Sequence, residues 1–118
     1  MSFPPAHHLQ KRADFLLCYD AGCRHYTKQF VVFARKRQED GVWRLGLAVT
    51  RKTGCAVMRN RVKRVLREFF RLRQLMIVPG YDLVVTPKRT LQADKLTLTV
   101  AERELMPLLS VLSRNNAP

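Results

Sequence analysis

The chain has 118 residues and a hydrophobic content of 47%, enough for one domain with one modest core and too short for several. Its 22 Lys and Arg against 9 Asp and Glu give a net charge of +13, the electrostatic footprint of a protein whose partner is a polyanion. No apolar run approaches the ~20 residues of a membrane span, and the few, scattered carboxylates argue against a two-metal hydrolytic centre built by the protein.

The elements are predicted in chain order as follows. Met1 to Gln10 carries Pro4, Pro5, His7 and His8 and reads as a loose leader; it lacks the apolar stretch of a signal peptide, so a cytoplasmic location is expected. Residues 11–20 read as a short helix that Gly22 ends, with Ala13, Leu16 and Leu17 on the side expected to face a core and Phe15 and Tyr19 on another. Residues 26–35, centred on Phe30-Val31-Val32-Phe33, read as a strand. Arg44 to Thr50 alternates and reads as a second strand, with Leu45, Leu47 and Val49 facing one way. A polar turn over Gln38 to Gly41 predicts that these two strands form an antiparallel hairpin. After a basic loop at Arg51 to Gly54, a long helix is predicted from about Ala56 to Leu75, then a strand over Tyr81 to Thr86. A last helix spans roughly Thr99 to Ser113. Thr99 and Glu102 have capping-box spacing, and Pro107 is expected to kink or split the helix, because it lacks a backbone donor. The order helix, strand, strand, helix, strand, helix gives a small α/β (α+β) sandwich in a single domain, residues 1–118, with the long helix packed across the sheet.

The long helix is the most informative stretch. Val62, Leu66 and Phe69 recur at helical spacing, with Val65 and Leu72 alongside. Arg59, Lys63 and Arg67 recur four apart on another face, with Arg64 and Arg71 beside them. Exposed helix faces ordinarily mix signs, since opposite charges four apart stabilise and like charges repel. This face has one acid, Glu68. A stripe that costs stability is read as an anion-binding face, although a solvated basic face is the plainer alternative. Residues 51–73 hold nine Lys/Arg against that single acid, whereas residues 74–118 hold five against four. Arginine at 59, 61, 64 and 67 suits phosphate, because its planar fork makes paired hydrogen bonds and stacks on bases. Asn60 could contact a base edge or a 2′-hydroxyl, or could serve as a local cap.

Phe15 and Tyr19, one turn apart, could join Phe30 and Phe33 in an aromatic surface for single-stranded bases, or all four could be ordinary core. Cys18, Cys23 and Cys55 lack metal-type spacing and read as free thiols; a zinc site from Cys18, Cys23 and His25 is conceivable but lacks a fourth ligand. No catalytic or metal-ligating constellation emerges. The chain reads as a binder, or as a helper of catalysis done elsewhere.

Gly46-Leu47-Ala48-Val49-Thr50-Arg51-Lys52-Thr53-Gly54, followed by Ala56-Val57-Met58-Arg59-Asn60-Arg61-Val62-Lys63-Arg64 and then Arg67-Glu68, resembles the protein subunit of bacterial ribonuclease P. Asp14-Phe15 ahead of Gly22 and Gln29-Phe30-Val31 fit the same family, so the resemblance covers roughly residues 9–112. Cys55 stands where the family often has Asn, and Pro107 is unusual for it. The resemblance implies a ribosomal-protein-like fold with a left-handed βαβ crossover, where sequence rules alone favour the right-handed one. It further implies an accessory subunit of an endoribonuclease that removes the 5′ leader of precursor tRNA. The implied partners are a catalytic RNA subunit, bound through Arg51, Lys52, Arg59, Asn60, Arg61, Lys63, Arg64 and Arg67, and the single-stranded leader, held by Phe15, Tyr19, Phe30 and Phe33. Mg²⁺ is expected to be held mainly by the RNA, with no membrane or DNA partner. A ribosomal or RNA-chaperone protein with the same basic helix is the alternative.

Overall fold

The computed structural model describes residues 7–37 and 41–115. In chain order the elements are α1 (Arg12–Ala21), β1 (Cys23–Tyr26), β2 (Phe30–Lys36), β3 (Arg44–Leu47), α2 (Ala56–Leu72), β4 (Tyr81–Pro87) and α3 (Leu98–Asn115), with short 3₁₀ turns at Arg51–Thr53, Gln74–Met76 and Ala93–Lys95. The result is an α+β fold with a four-stranded mixed sheet and three helices.

The sheet order is β1-β2-β4-β3. β4 pairs antiparallel with β2, from Phe30↔Pro87 to Lys36↔Tyr81, and parallel with β3, from Arg44↔Asp82 to Leu47↔Val85. The predicted β2–β3 hairpin is therefore wrong. β4 lies between those two strands, and β3 reaches it through the α2 crossover that parallel pairing requires. The true hairpin is β1–β2, turning at residues 27–29. β1, Cys-Arg-His-Tyr, is an edge strand without apolar alternation, so nothing in its composition announced it. Of the turn predicted at Gln38 to Gly41, residues 38–40 lie outside the described residues.

Strand alternation gives the sheet two different faces. Phe30, Val32 and Ala34 of β2, Leu45 of β3, and Leu83 and Val85 of β4 are buried against Val62, Leu66, Phe69 and Phe70 of α2 and Ala101, Leu105, Leu108, Leu109 and Leu112 of α3. Most of the apolar stripe of α2 does as predicted. Leu72, however, is exposed, and Phe70 takes a core place beside Phe69, their rings edge to face at 5.1 Å. The opposite face carries α1 over a smaller cluster of Leu9, Cys18 and Val84, with Phe15, Tyr19, Phe33 and Ala48 packed around it. Here the predicted orientation of α1 is reversed. Leu16 and Leu17 are exposed, and Phe15, Cys18 and Tyr19 turn to the sheet. Two stripes compete on this helix. The one that wins places Asp14 beside Arg44 and leaves room for the Phe15 ring over Gly46, where a Cβ would lie 2.6 Å from that ring.

Two end effects also differ from the sequence reading. α3 is capped by Thr97, whose hydroxyl accepts from the Val100 amide at 3.3 Å, and the helix runs on through Pro107 without being split. Of the loose leader predicted over Met1 to Gln10, residues 1–6 lie outside the described residues, and residues 7–9 are held in place. His8 bridges in parallel to Leu45, Leu9 is buried, and the His7 ring stacks on Trp43 at 3.9 Å while Nδ1 donates to the Trp43 carbonyl.

Candidate nucleic-acid interface

The α1 face is built around one buried charge. Asp82 is 0% exposed and is gripped by Arg44, whose Nε and terminal nitrogen donate to its two oxygens at 2.8 and 2.7 Å, and by Arg37, with Arg35 at 3.5 Å. Burial alone would raise this carboxyl, but the hydrogen bonds and charges of Arg44 and Arg37 outweigh it and hold it below the ordinary aspartate range. Arg44 also reaches Asp14 of α1 at 3.5 Å, so the charge cluster ties the helix to the sheet. Beside it, burial and the nearby Asp82 push the Cys18 thiol up to about 11, which leaves it an unreactive packing group.

Three hollows lie along α1 and the ends of the sheet. The largest, about 570 Å³, is lined by Tyr19, Ala48 and Thr86 and rimmed by Arg51, Lys52, Lys88 and Arg89. A second, about 390 Å³, runs along α1 past Gln10, Arg12, Phe15, Leu16 and Tyr19. A third, about 150 Å³, sits where Phe15 and His8 meet Lys63 and Arg67 of α2. Tyr19 is shared by the first two and Phe15 by the last two, so the hollows form one cleft from the 51–53 turn, across α1, to the side of α2. Phe33 backs it, edge to face with Tyr19 at 4.8 Å and covered by the Arg24 guanidinium at 5.5 Å. Aromatic faces beside fixed cations are the parts of a single-strand binding groove.

The large hollow could have been found in the sequence. Val49-Thr50-Arg51-Lys52 is echoed by Val85-Thr86-Pro87-Lys88-Arg89, a strand end followed by a basic pair, twice. Because β3 and β4 run parallel, both pairs emerge at the same end of the sheet, at the crevice outside the strand termini where open α/β sheets commonly bind ligands. Of the two pairs, only Arg51 and Lys52 were expected to contact RNA. Arg24 was also missed, along with the β-strand that carries it.

The predicted residues divide by environment. Phe15 and Tyr19 line the cleft, and Phe33 packs behind Tyr19 without lining any of the three hollows. Phe30 does neither: it is fully buried on the opposite face, because it is three residues from Phe33 and strands alternate. Arg51, Lys52, Asn60, Arg64 and Arg67 are exposed, while Arg59 and Lys63 are half-buried. Arg61 turns inward, donating to the carbonyls of Ala93 at 3.1 Å and Leu96 at 2.9 Å, so it fastens the segment before α3 rather than facing outward. Arg71 pairs with Glu68, and Arg73 with Glu102 of α3. The outward stripe of α2 is thus Arg59, Asn60, Lys63, Arg64 and Arg67, with Lys63 and Arg67 shared with the cleft. Among the described residues no group of three or more His, Cys, Asp or Glu side chains comes together as a metal site, and no helix is long and apolar enough to cross a membrane.

The sequence profile of the family described as Ribonuclease P matches residues 3–112. A ribonuclease P protein component from Oleidesulfovibrio alaskensis is 54% identical over 102 residues, covering 86% of this chain and 82% of the relative. One from Thermotoga maritima is 41% identical over 93 residues, 79% of each chain. Among solved structures, the RNase P protein of Staphylococcus aureus superposes with a TM-score of 0.78 at 32% identity, over 90% of this chain and 94% of that one. The RNase P protein of Thermotoga maritima gives 0.78 at 36%, over 88% and 96%. The chain belongs to the family of ribonuclease P protein components, whose role is the 5′ processing of tRNA.

Proposed function

We propose that this chain docks on the RNA subunit of ribonuclease P through the outward stripe of α2 and holds the single-stranded 5′ leader of precursor tRNA in the α1 cleft. The observation that carries the reading is that one small domain presents two cationic surfaces of different character, which meet at Lys63 and Arg67. The α2 stripe is a row of long, rigidly spaced cations suited to the regular phosphates of folded RNA. The cleft adds the aromatic faces of Phe15 and Tyr19, backed by Phe33, which suit unstacked bases. The chain's own contribution is binding and charge. Its cations reduce repulsion between two RNAs, and gripping the leader favours precursor over product, which has none.

Hydrolysis, with the Mg²⁺ it uses, is assigned to the RNA. Asp14 and Asp82, the carboxylates of the charge cluster on this face, are engaged by Arg44 and do not fit a resident metal. Cytoplasmic residence follows from the substrate.

The test is cleavage of precursor tRNA at low Mg²⁺ by protein alone, RNA subunit alone and both together. The protein alone is expected to cleave nothing, and the pair to exceed the RNA most where Mg²⁺ is scarce. Phe15→Ala should weaken precursor binding roughly 5- to 150-fold while leaving mature tRNA nearly unchanged. Cleavage by RNA-free protein, or equal loss for both tRNAs, would sink the reading.

A further inference from the structure

We infer that Glu104 of α3, on the opposite side of the sheet from the cleft, is the positioning residue for the cleft's Lys88–Arg89 wall. The inference rests on the leader-binding reading of that cleft and adds a residue outside it. Glu104 reaches round the sheet to the β1–β2 turn. One carboxylate oxygen accepts from the Thr27 hydroxyl at 2.7 Å and the Gln29 amide nitrogen at 2.8 Å; the other accepts from the Gln29 side-chain amide. The turn it fixes holds the segment after β4. The Gln29 carbonyl accepts from the Lys88 amide at 2.8 Å, the Gln29 side-chain oxygen from the Gln92 amide at 3.1 Å, the Thr27 carbonyl from the Lys88 ammonium at 3.0 Å, and the Lys28 carbonyl from the Thr90 hydroxyl at 2.7 Å. Lys88 and Arg89 line the largest hollow. Gln29 is therefore a two-ended clip, its NH₂ turned to α3 and its oxygen to the wall.

Every partner of Glu104 in this clip is a neutral donor, and that makes its logic directional. Glu104→Gln sets an NH₂ against the NH₂ of Gln29. Flipping the Gln29 amide only moves the conflict, since its NH₂ would then face the Gln92 N–H. Gln29→Glu sets two carboxylates against each other. The double exchange, Gln29→Glu with Glu104→Gln, restores every pairing: the new amide donates to the new carboxylate, which still accepts from Gln92, and the new amide's oxygen still accepts from Thr27 and the residue 29 amide.

The experiment uses the full chain assembled with its RNA subunit, and compares binding of precursor and mature tRNA alongside amide exchange at Lys88 and Gln92. Each single variant is expected to lower the precursor-over-mature preference about tenfold, on the scale of one lost hydrogen bond to a charged group. Each should speed exchange at both amides and leave affinity for the RNA subunit unchanged. The double exchange should recover all of these towards wild type. Single variants that keep both preference and protection overturn the inference, as does a double exchange that folds normally without rescue. So does global unfolding of both single variants, which would make Glu104 a stability residue. A wild-type complex with no preference for precursor would instead overturn the leader reading, leaving the clip to be decided by exchange at Lys88 and Gln92.

Discussion

Phe30 and Phe33 share a strand and a side-chain type, yet one is sealed under α2 and α3 and the other packs, half-buried, behind Tyr19 at the back of a cleft. The two faces of the sheet divide labour in the same way. The α2/α3 face is a closed aliphatic and aromatic layer, whereas the α1 face holds a small cluster, a buried aspartate among three arginines, and aromatic rings left within reach of solvent. A domain of this size makes most of its hydrophobic gain on one face. The other can then keep exposed rings and unbalanced charge, which are poor for stability and useful for binding RNA.

The sharpest way to break the comparison is to truncate both phenylalanines. Phe30→Ala should cost about 3–5 kcal/mol of stability, the range for emptying a packed aromatic site, and should lower precursor and mature tRNA binding alike. Phe33→Ala should cost less stability and act on precursor alone. Thermal melts paired with both binding assays separate the two; matching losses would mean the faces are not distinct.

Asp82 tests what holds the cleft face together. Asp82→Ala should cost about 3–5 kcal/mol by leaving arginines clustered without their counter-charge. Acid provides the same test without mutation. Because the folded carboxyl lies below its unfolded value, its stabilisation is fully present above the ordinary aspartate pKa of about 3.9 and is lost as pH falls through the folded value. Loss from this group should therefore begin below about pH 4, with no contribution to pH dependence between about 5 and 7. A melting temperature that is independent of pH below 4, or equal acid sensitivity in Asp82→Ala, would remove Asp82 from this role.

The smallest effects lie along α2. Arg61→Ala should cost roughly 1–3 kcal/mol by unfastening Ala93 and Leu96. Arg64→Ala should leave stability within about 0.5 kcal/mol while reducing the salt slope of RNA-subunit binding by about one unit. Melts and salt titrations of the two variants should show opposite patterns. If both change only the slope, Arg61 is an RNA contact after all.

Much of this was legible in the sequence. The 3.6 period of α2 gave its core stripe through Val62, Leu66 and Phe69, and the Arg-Asn-Arg run with its flanking glycine strand gave the family. What was not legible was non-local. Nothing near Phe30 or Arg44 says that a strand further downstream, at Tyr81–Pro87, will separate them. α1 offered two plausible stripes, and the choice between them was made by Arg44 and Gly46 on another element. Arg61 looked like its neighbours, and only the backbone of residues 93–96 makes it structural. Thr97 and Thr99 both suit a cap, and it is the Thr97 hydroxyl that takes the Val100 amide.

The central place of β4 has a consequence for how the molecule comes into being. β2 and β3 have no contact to make with each other along their strands until residues 81–87 enter between them, so the sheet closes late in synthesis. Pairings of this sequence separation carry a high loop-closure cost and slow the folding of mixed sheets. The two strand ends that frame the largest hollow, one on β3 and one on β4, are brought together in that same step. Formation of the cleft and completion of the fold should thus share one rate, and a nascent chain ending before Tyr81 would carry the whole basic helix while lacking the groove.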